Sequence, residues 1–201
     1  MSPMEEIELT FIDIDTNEIE KKFIKLGAQK VGDFHYRRIV FDQNDFSLDK
    51  KAAWVRLRDE GDQITLTFKQ RLGNNVRDKL DGDDGMYERE VIVSDFDATR
   101  DILLKAGLIE KMYQENKRTR YILDGVECDI DTWPLLEPYL EIEGSNWKSV
   151  HETVDKLGLN QENGMKISTN QIYRMKGLDD RNYTKMTFEE QVERKDDTFQ
   201  Y

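Results

Sequence analysis

The segment EIELTF, residues 6–11, alternates strictly: Ile7, Leu9 and Phe11 fall on one side of an extended chain, Glu6, Glu8 and Thr10 on the other. Two carboxylates aimed in the same direction repel one another, so the meaning of this strand depends on whether the rest of the chain repeats the pattern. It does. Paired charges separated by one residue recur at Arg56/Arg58, Glu88/Glu90, Arg118/Arg120, Asp129/Asp131 and Glu141/Glu143. Lys69 stands in ITLTFKQ in phase with Thr65 and Thr67. The residues between the charges are mostly apolar: Val55, Leu57, Ile130, Leu140 and Ile142. One such pair is an ordinary solvated strand, but six strands in phase describe a sheet with an apolar face and a charged face.

Eight stretches read as strands: 5–12, 34–42, 52–60, 63–70, 86–94, 116–124, 126–133 and 138–144. Helical periodicity occupies 16–27, 97–107 and 146–158, each stretch finishing at a glycine and starting at a capping residue, Thr16, Asp97 or Asn146. The order strand, helix, three strands occurs twice, a weak pseudo-two-fold βαβββ repeat joined by the polar loop 71–85. Short connections at 59–62 and 123–125 favour antiparallel hairpins. A short helix is expected over 168–177, and the charged stretch 178–201 is expected to be a loosely attached tail on a domain spanning 1–177.

The expected architecture is α+β: an eight-stranded antiparallel β-barrel with helices packed outside and charge lining the lumen. Carboxylates there require cations or metal. Up to eight acidic groups could hold Mg²⁺ or Mn²⁺ through oxygen, while Arg56, Arg58, Lys69, Arg118 and Arg120 could grip phosphate oxygens.

The 201 residues carry a formal charge of −12 and are 36% charged, which argues against nucleic acid or an anionic membrane as partner. Cys128 is the single cysteine and His35 and His151 stand far apart, so neither a disulfide nor a Cys/His metal site is supported. MSPMEEIE has no apolar leader and no run is long enough to span a bilayer, giving a cytoplasmic protein as the expectation. The oligomeric state is open, with a homodimer among the options. LDGDDG, 80–85, lacks the spacing of a calcium loop. His35 reads as a strand residue or a contact at a barrel mouth, and Tyr173 as a core residue or a plug at one end.

The order of motifs resembles the CYTH superfamily of triphosphate tunnel metalloenzymes, which includes class IV adenylyl cyclases, thiamine triphosphatases and inorganic triphosphatases. The resemblance rests on Glu6 and Glu8 in the opening Glu-x-Glu-x-Lys signature, then WVRLR (54–58), TLTFKQ (65–70), YERE (87–90), KRTRY (117–121) and DTWPLLEPYLEIEG (131–144). It implies metal coordination by Glu6, Glu8, Glu90, Asp131, Glu141 and Glu143, phosphate binding by Arg56, Arg58, Lys69, Arg118 and Arg120, and catalytic roles for Glu6, Glu8, Lys69 and Glu90. The implied substrate is a small molecule bearing a triphosphate: ATP, thiamine triphosphate or inorganic triphosphate. Thr10 departs from the signature, since a hydroxyl cannot offset phosphate charge as lysine does. Either another cation takes its place, or the protein is a nucleotide- or polyphosphate-binding module without turnover.

Overall fold

The computed structural model describes residues 7–71 and 86–195. Glu6, most of the polar loop with LDGDDG, and residues 196–201 lie outside the described residues. The eight expected strands form as β1 (Glu8–Phe11), β2 (Gln29–Gln43), β3 (Ala53–Asp59), β4 (Ile64–Arg71), β5 (Met86–Val93), β6 (Leu108–Leu123), β7 (Val126–Thr132) and β8 (Tyr139–Glu143). The helices are α1 (Thr16–Leu26), α2 (Phe96–Lys105), α3 (Trp147–Lys156) and α4 (Thr169–Met175). None is long and apolar enough to cross a membrane.

Capping explains the helix limits. Asp15 accepts from the Glu18 amide at 3.1 Å and Asp95 from the Ala98 amide at 2.8 Å, so the true caps precede Thr16 and Asp97. Both of those residues already lie inside the first turn, whereas Asn146 caps α3 as expected. At the other end of α1, Gly27 takes φ +74° and its amide reaches the Ile24 carbonyl, a conformation that a Cβ disfavours.

The strands follow the order β1-β8-β7-β6-β2-β3-β4-β5. The expected α+β class and antiparallel path are present. Among the described residues, however, hydrogen bonds do not join β1 to β5, so they do not close the sheet into a barrel. At Thr10 the second edge of β1 is occupied instead by Met165, with mutual backbone bonds of 2.8 and 2.9 Å.

β2 and β6 begin five and eight residues earlier than the alternation suggests, at Gln29 and Leu108 against 34 and 116. Part of the extra length of β6 is held by a partner remote in sequence. Tyr113 and Gln114 pair in parallel with Lys185 and Met186 of β9 (Tyr183–Met186), which in turn pairs with β10 (Gln191–Glu193). Residues 178–195, expected as a loose tail, thus contain a hairpin with Met186 buried. Tertiary pairing of this kind leaves no local periodicity to read.

The chain divides into two compact units. Among the described residues, one comprises 7–34 and 116–180, the other 35–71, 86–115 and 181–195. The βαβββ repeats are therefore not the units. Each first strand leaves its own repeat: β1 pairs with β8, and β5 with β4.

In the first unit Leu9, Phe11, Tyr121, Cys128, Ile130, Leu140 and Ile142 pack under α1 and α3, with Phe23 stacked on Tyr121 at 4.5 Å between centroids. Tyr173 is buried as well, and its hydroxyl donates to the Pro134 carbonyl at 2.7 Å. In the second unit Ile39, Phe41, Leu57 and Leu66 pack against Phe96, Leu103 and Leu104 of α2. Both cores use one face of their strands only. The opposite faces carry the charge.

Asp124 (φ +53°) and Gly125 (φ +83°) form the two-residue turn between β6 and β7, the mirror-type turn whose twist suits a tight hairpin. Nothing lies within 4 Å of a Cβ placed on Gly125. Gly125→Ala should thus cost about 1–2 kcal/mol through backbone conformation alone, measured by urea unfolding; unchanged stability would show that the turn tolerates a side chain.

Candidate functional site

The basic face belongs to the unit containing α2. Register places Arg38 beside Arg58 and Val40 beside Arg56, then Arg58 beside Thr65 and Arg56 beside Thr67. On the next strand Thr67 faces Glu90 and Lys69 faces Glu88. These side chains share one side of β2–β5 because directly opposed residues of antiparallel strands face the same way, and the register sets even positions of β2, β3 and β5 opposite odd positions of β4. Glu90 accepts the Thr67 hydroxyl at 2.7 Å and approaches Arg56 only to 3.7 Å, while Lys69 pairs with Glu88 at 3.0 Å. Arg58 is held by Glu60, in the turn after β3. Among the described residues, the buried Nε atoms of Arg56 and Arg58 and the Thr65 hydroxyl have no hydrogen-bond partner. Burial, then the neighbouring Arg58, push the Arg56 guanidinium down to about 10 against the pull of Glu88, Glu90 and Glu60. This cation is held in place without enough counter-charge.

The acidic face belongs to the other unit and is arranged in the opposite sense. Glu8 stands beside Glu143 and Thr10 beside Glu141; further along the sheet Glu141 faces Asp129, Asp129 faces Arg120, and Asp131 faces Arg118. With Glu127 opposite Glu143, six carboxylates share this face with two arginines. Arg118 donates to Asp131 (Nε to Oδ1, 2.6 Å) and to Glu141 (2.7 Å), and lies 2.7 Å from Asp129. Arg120 grips Asp129 through two bonds of 2.8 and 2.7 Å and pairs with Glu127 at 2.9 Å. Burial, then the charge of Asp131, raise the Glu141 carboxyl well above the usual range despite Arg118. Both arginines rise above their ordinary value: Arg120 chiefly through its hydrogen bond to Asp129, Arg118 because its three carboxylates outweigh burial.

The CYTH domain profile matches residues 4–173. The chain belongs to the CYTH family. No curated protein sequence matches it. Among solved structures it is similar to the PH1012 protein of Pyrococcus horikoshii, with 20% identity, 84% of this chain and 99% of that one covered, and a TM-score of 0.63. A Vibrio parahaemolyticus protein named for adenylate cyclase activity gives 9% identity, coverage of 86% and 99%, and a TM-score of 0.66. HpAC1 from Hippeastrum, named as an adenylyl cyclase and described as having a dominant triphosphatase activity, gives 14% identity, coverage of 88% and 99%, and a TM-score of 0.57. At these identities the likeness is one of fold.

Against the expected CYTH site, Arg56, Arg58, Lys69 and Glu90 lie together on the basic face. Glu8, Asp131, Glu141 and Glu143 lie on the acidic face, as do Arg118 and Arg120. The two arginines point the same way, as residues two apart in a strand must. The carboxylate oxygens are the right class of donor for a hard divalent cation. Their arrangement is not that of a metal centre: Arg118 engages three of them, and no group of three acidic, histidine or cysteine side chains among the described residues could hold an ion.

Thr10, where the signature has lysine, is fully buried, and its hydroxyl donates to the Ile167 carbonyl at 3.4 Å. Asp129 was read from sequence only as one of the paired charges, and Glu127, Glu60 and Thr65 were not singled out as site residues. ECDID, 127–131, carries the alternation that extends the pair to Glu127; Glu60 sits in a turn, where periodicity is silent. His35 lies 3.5 Å from Glu115, with its ring 6.0 Å from that of Phe188, and takes no part in either face's network.

Removing Arg118 leaves buried carboxylates without their shared cation. Arg118→Met should cost about 3–5 kcal/mol at pH 7, and less at pH 5 as carboxylates take up protons. Glu141 adds a dependence of its own: with its folded value raised above 4.5, it stabilises the fold at low pH, and that stability is lost as pH rises through the raised value. Glu141→Gln should therefore gain on the wild type as pH increases from 5 to 8 in urea unfolding. A constant difference would contradict the burial argument.

Proposed function

We propose that this CYTH protein binds the triphosphate of a small molecule on its basic face and processes it as a complex with Mg²⁺ or Mn²⁺. The observation that carries the reading is the pair of half-buried guanidinium groups, Arg56 and Arg58, whose buried Nε atoms lack an acceptor. Two cations with unused donors on adjacent positions of one strand face suit phosphate oxygens, which arginine takes in pairs of parallel hydrogen bonds. Lys69 adds a third charge on the neighbouring strand.

In this reading the three cations neutralise charge that grows on phosphate oxygens in the transition state. Glu90, fixed by the Thr67 hydroxyl, orients the attacking oxygen. That oxygen is water if the protein hydrolyses inorganic triphosphate, ATP or thiamine triphosphate. It is the ribose 3′ hydroxyl of ATP if the product is cyclic AMP with pyrophosphate. A divalent ion bound to the triphosphate would supply further charge neutralisation at its oxygens.

A second reading has its own support: Thr10 brings no cation, and its hydroxyl is already committed to Ile167. On that reading the protein holds a nucleotide or polyphosphate without turnover.

³¹P NMR of the protein with Mg²⁺ or Mn²⁺ and either ATP or inorganic triphosphate separates these outcomes. Orthophosphate marks a hydrolase, and cyclic AMP with pyrophosphate marks a cyclase. Arg56→Met should lower either rate by about 100-fold or more, the usual loss when one preorganised donor is removed. Saturable binding without product, with turnover gained in Thr10→Lys, would establish the binding module. Neither binding nor turnover would overturn the triphosphate reading.

A further inference from the structure

The Thr65 hydroxyl is the least explained polar group on the basic face. The residue is 1% exposed and sits on β4 between Arg58 of β3 and Ile92 of β5, and its Oγ1 meets no partner among the described residues. A buried hydroxyl without a partner costs stability, and valine has nearly the same shape without that cost. Thr67, two residues on, shows the contrast: equally buried, it donates to Glu90. Opposite Thr65, the Arg58 guanidinium is turned to Glu60 while its Nε is left without an acceptor. Directly opposed residues on neighbouring antiparallel strands have Cβ atoms about 4.5–5.5 Å apart. The two side chains therefore start side by side on the same face of the sheet, with the Arg58 Nε and the Thr65 hydroxyl both lacking a partner.

We infer that Thr65 is a binding residue of the anion site, its hydroxyl donating to a phosphate oxygen held at the same time by Arg58, and that the Glu60 carboxylate is the internal acceptor an incoming anion displaces. This assignment rests on the triphosphate reading of the basic face and adds to it a neutral donor and a competing carboxylate. Arg56 supplies the permanent charge. Thr65 supplies a neutral hydrogen bond beside Arg58.

The test is calorimetric titration of metal-free inorganic triphosphate into wild type, Thr65→Val, Thr65→Ser and Glu60→Gln, with melting temperatures of the unliganded proteins. Thr65→Val should bind at least about tenfold more weakly, the loss of one hydrogen bond to a charged acceptor, while melting no lower than wild type. Thr65→Ser, which keeps the hydroxyl, should bind like wild type. Glu60→Gln should bind more tightly, since its acceptor no longer carries charge. Wild-type binding with Thr65→Val unchanged would overturn the assignment and leave the triphosphate reading intact. Weakened binding accompanied by a lower melting temperature in both threonine variants would also overturn it, by making Thr65 a packing residue. Glu60→Gln binding no more tightly would remove Glu60 from the assignment. No binding by wild type would overturn both the assignment and the reading beneath it.

Discussion

Charge on one side of each strand and hydrocarbon on the other is the constraint from which the rest of this molecule follows. Successive side chains of a strand point to opposite faces, so a sequence that alternates charge with Leu, Ile or Phe must bury one face and find partners for the other. The burial is done by helices: α1 and α3 over one set of strands, α2 over the other. Partnering is done across strands, where register sets Asp131 beside Arg118, Asp129 beside Arg120 and Glu88 beside Lys69. A slip of one residue would place carboxylates under the helices and leucines among the charges.

The two charged faces answer this constraint differently. On the acidic face, Arg118 and Arg120 are taken up by carboxylates on neighbouring strands, and the remaining tension is an excess of acid that raises Glu141. On the basic face, Glu90 comes only within 3.7 Å of Arg56, and donors of Arg56, Arg58 and Thr65 stay unmet. A folded chain tolerates unmet buried donors at a cost of about 1–3 kcal/mol each. Sites that keep such a cost are candidates for ligand binding, because the ligand recovers it. That contrast, rather than the number of charges, distinguishes the two faces.

The exchange of first strands between the repeats gives the chain its cohesion. β1 lies against β8 and β5 against β4, so each compact unit contains strands from both repeats. The acidic face needs Glu8 from the first repeat and Asp131 and Glu141 from the second; the basic face needs Arg56 from the first and Glu90 from the second. Neither repeat alone holds a complete face.

Within the sequence itself lay everything that depends on neighbours two to four residues apart. Alternation gave the eight strands and their two faces, glycines and capping residues gave the helix ends to within two residues, with Asp15 and Asp95 the caps where Thr16 and Asp97 were expected, and Asp124-Gly125 gave the tight hairpin. The motif order gave the family. What depended on distant residues was left to the tertiary structure. The pairing of β6 with β9 lengthened one strand and drew residues 183–186 into the sheet, and Met165 occupied the edge of β1 at Thr10. The fate of the arginines was decided the same way. Arg56 and Arg118 look alike in WVRLR and KRTRY, yet Arg118 faces Asp131 across β7 while Arg56 faces a threonine across β4. Whether a charge is satisfied depends on what stands opposite it, and that is set by register between strands distant in the chain.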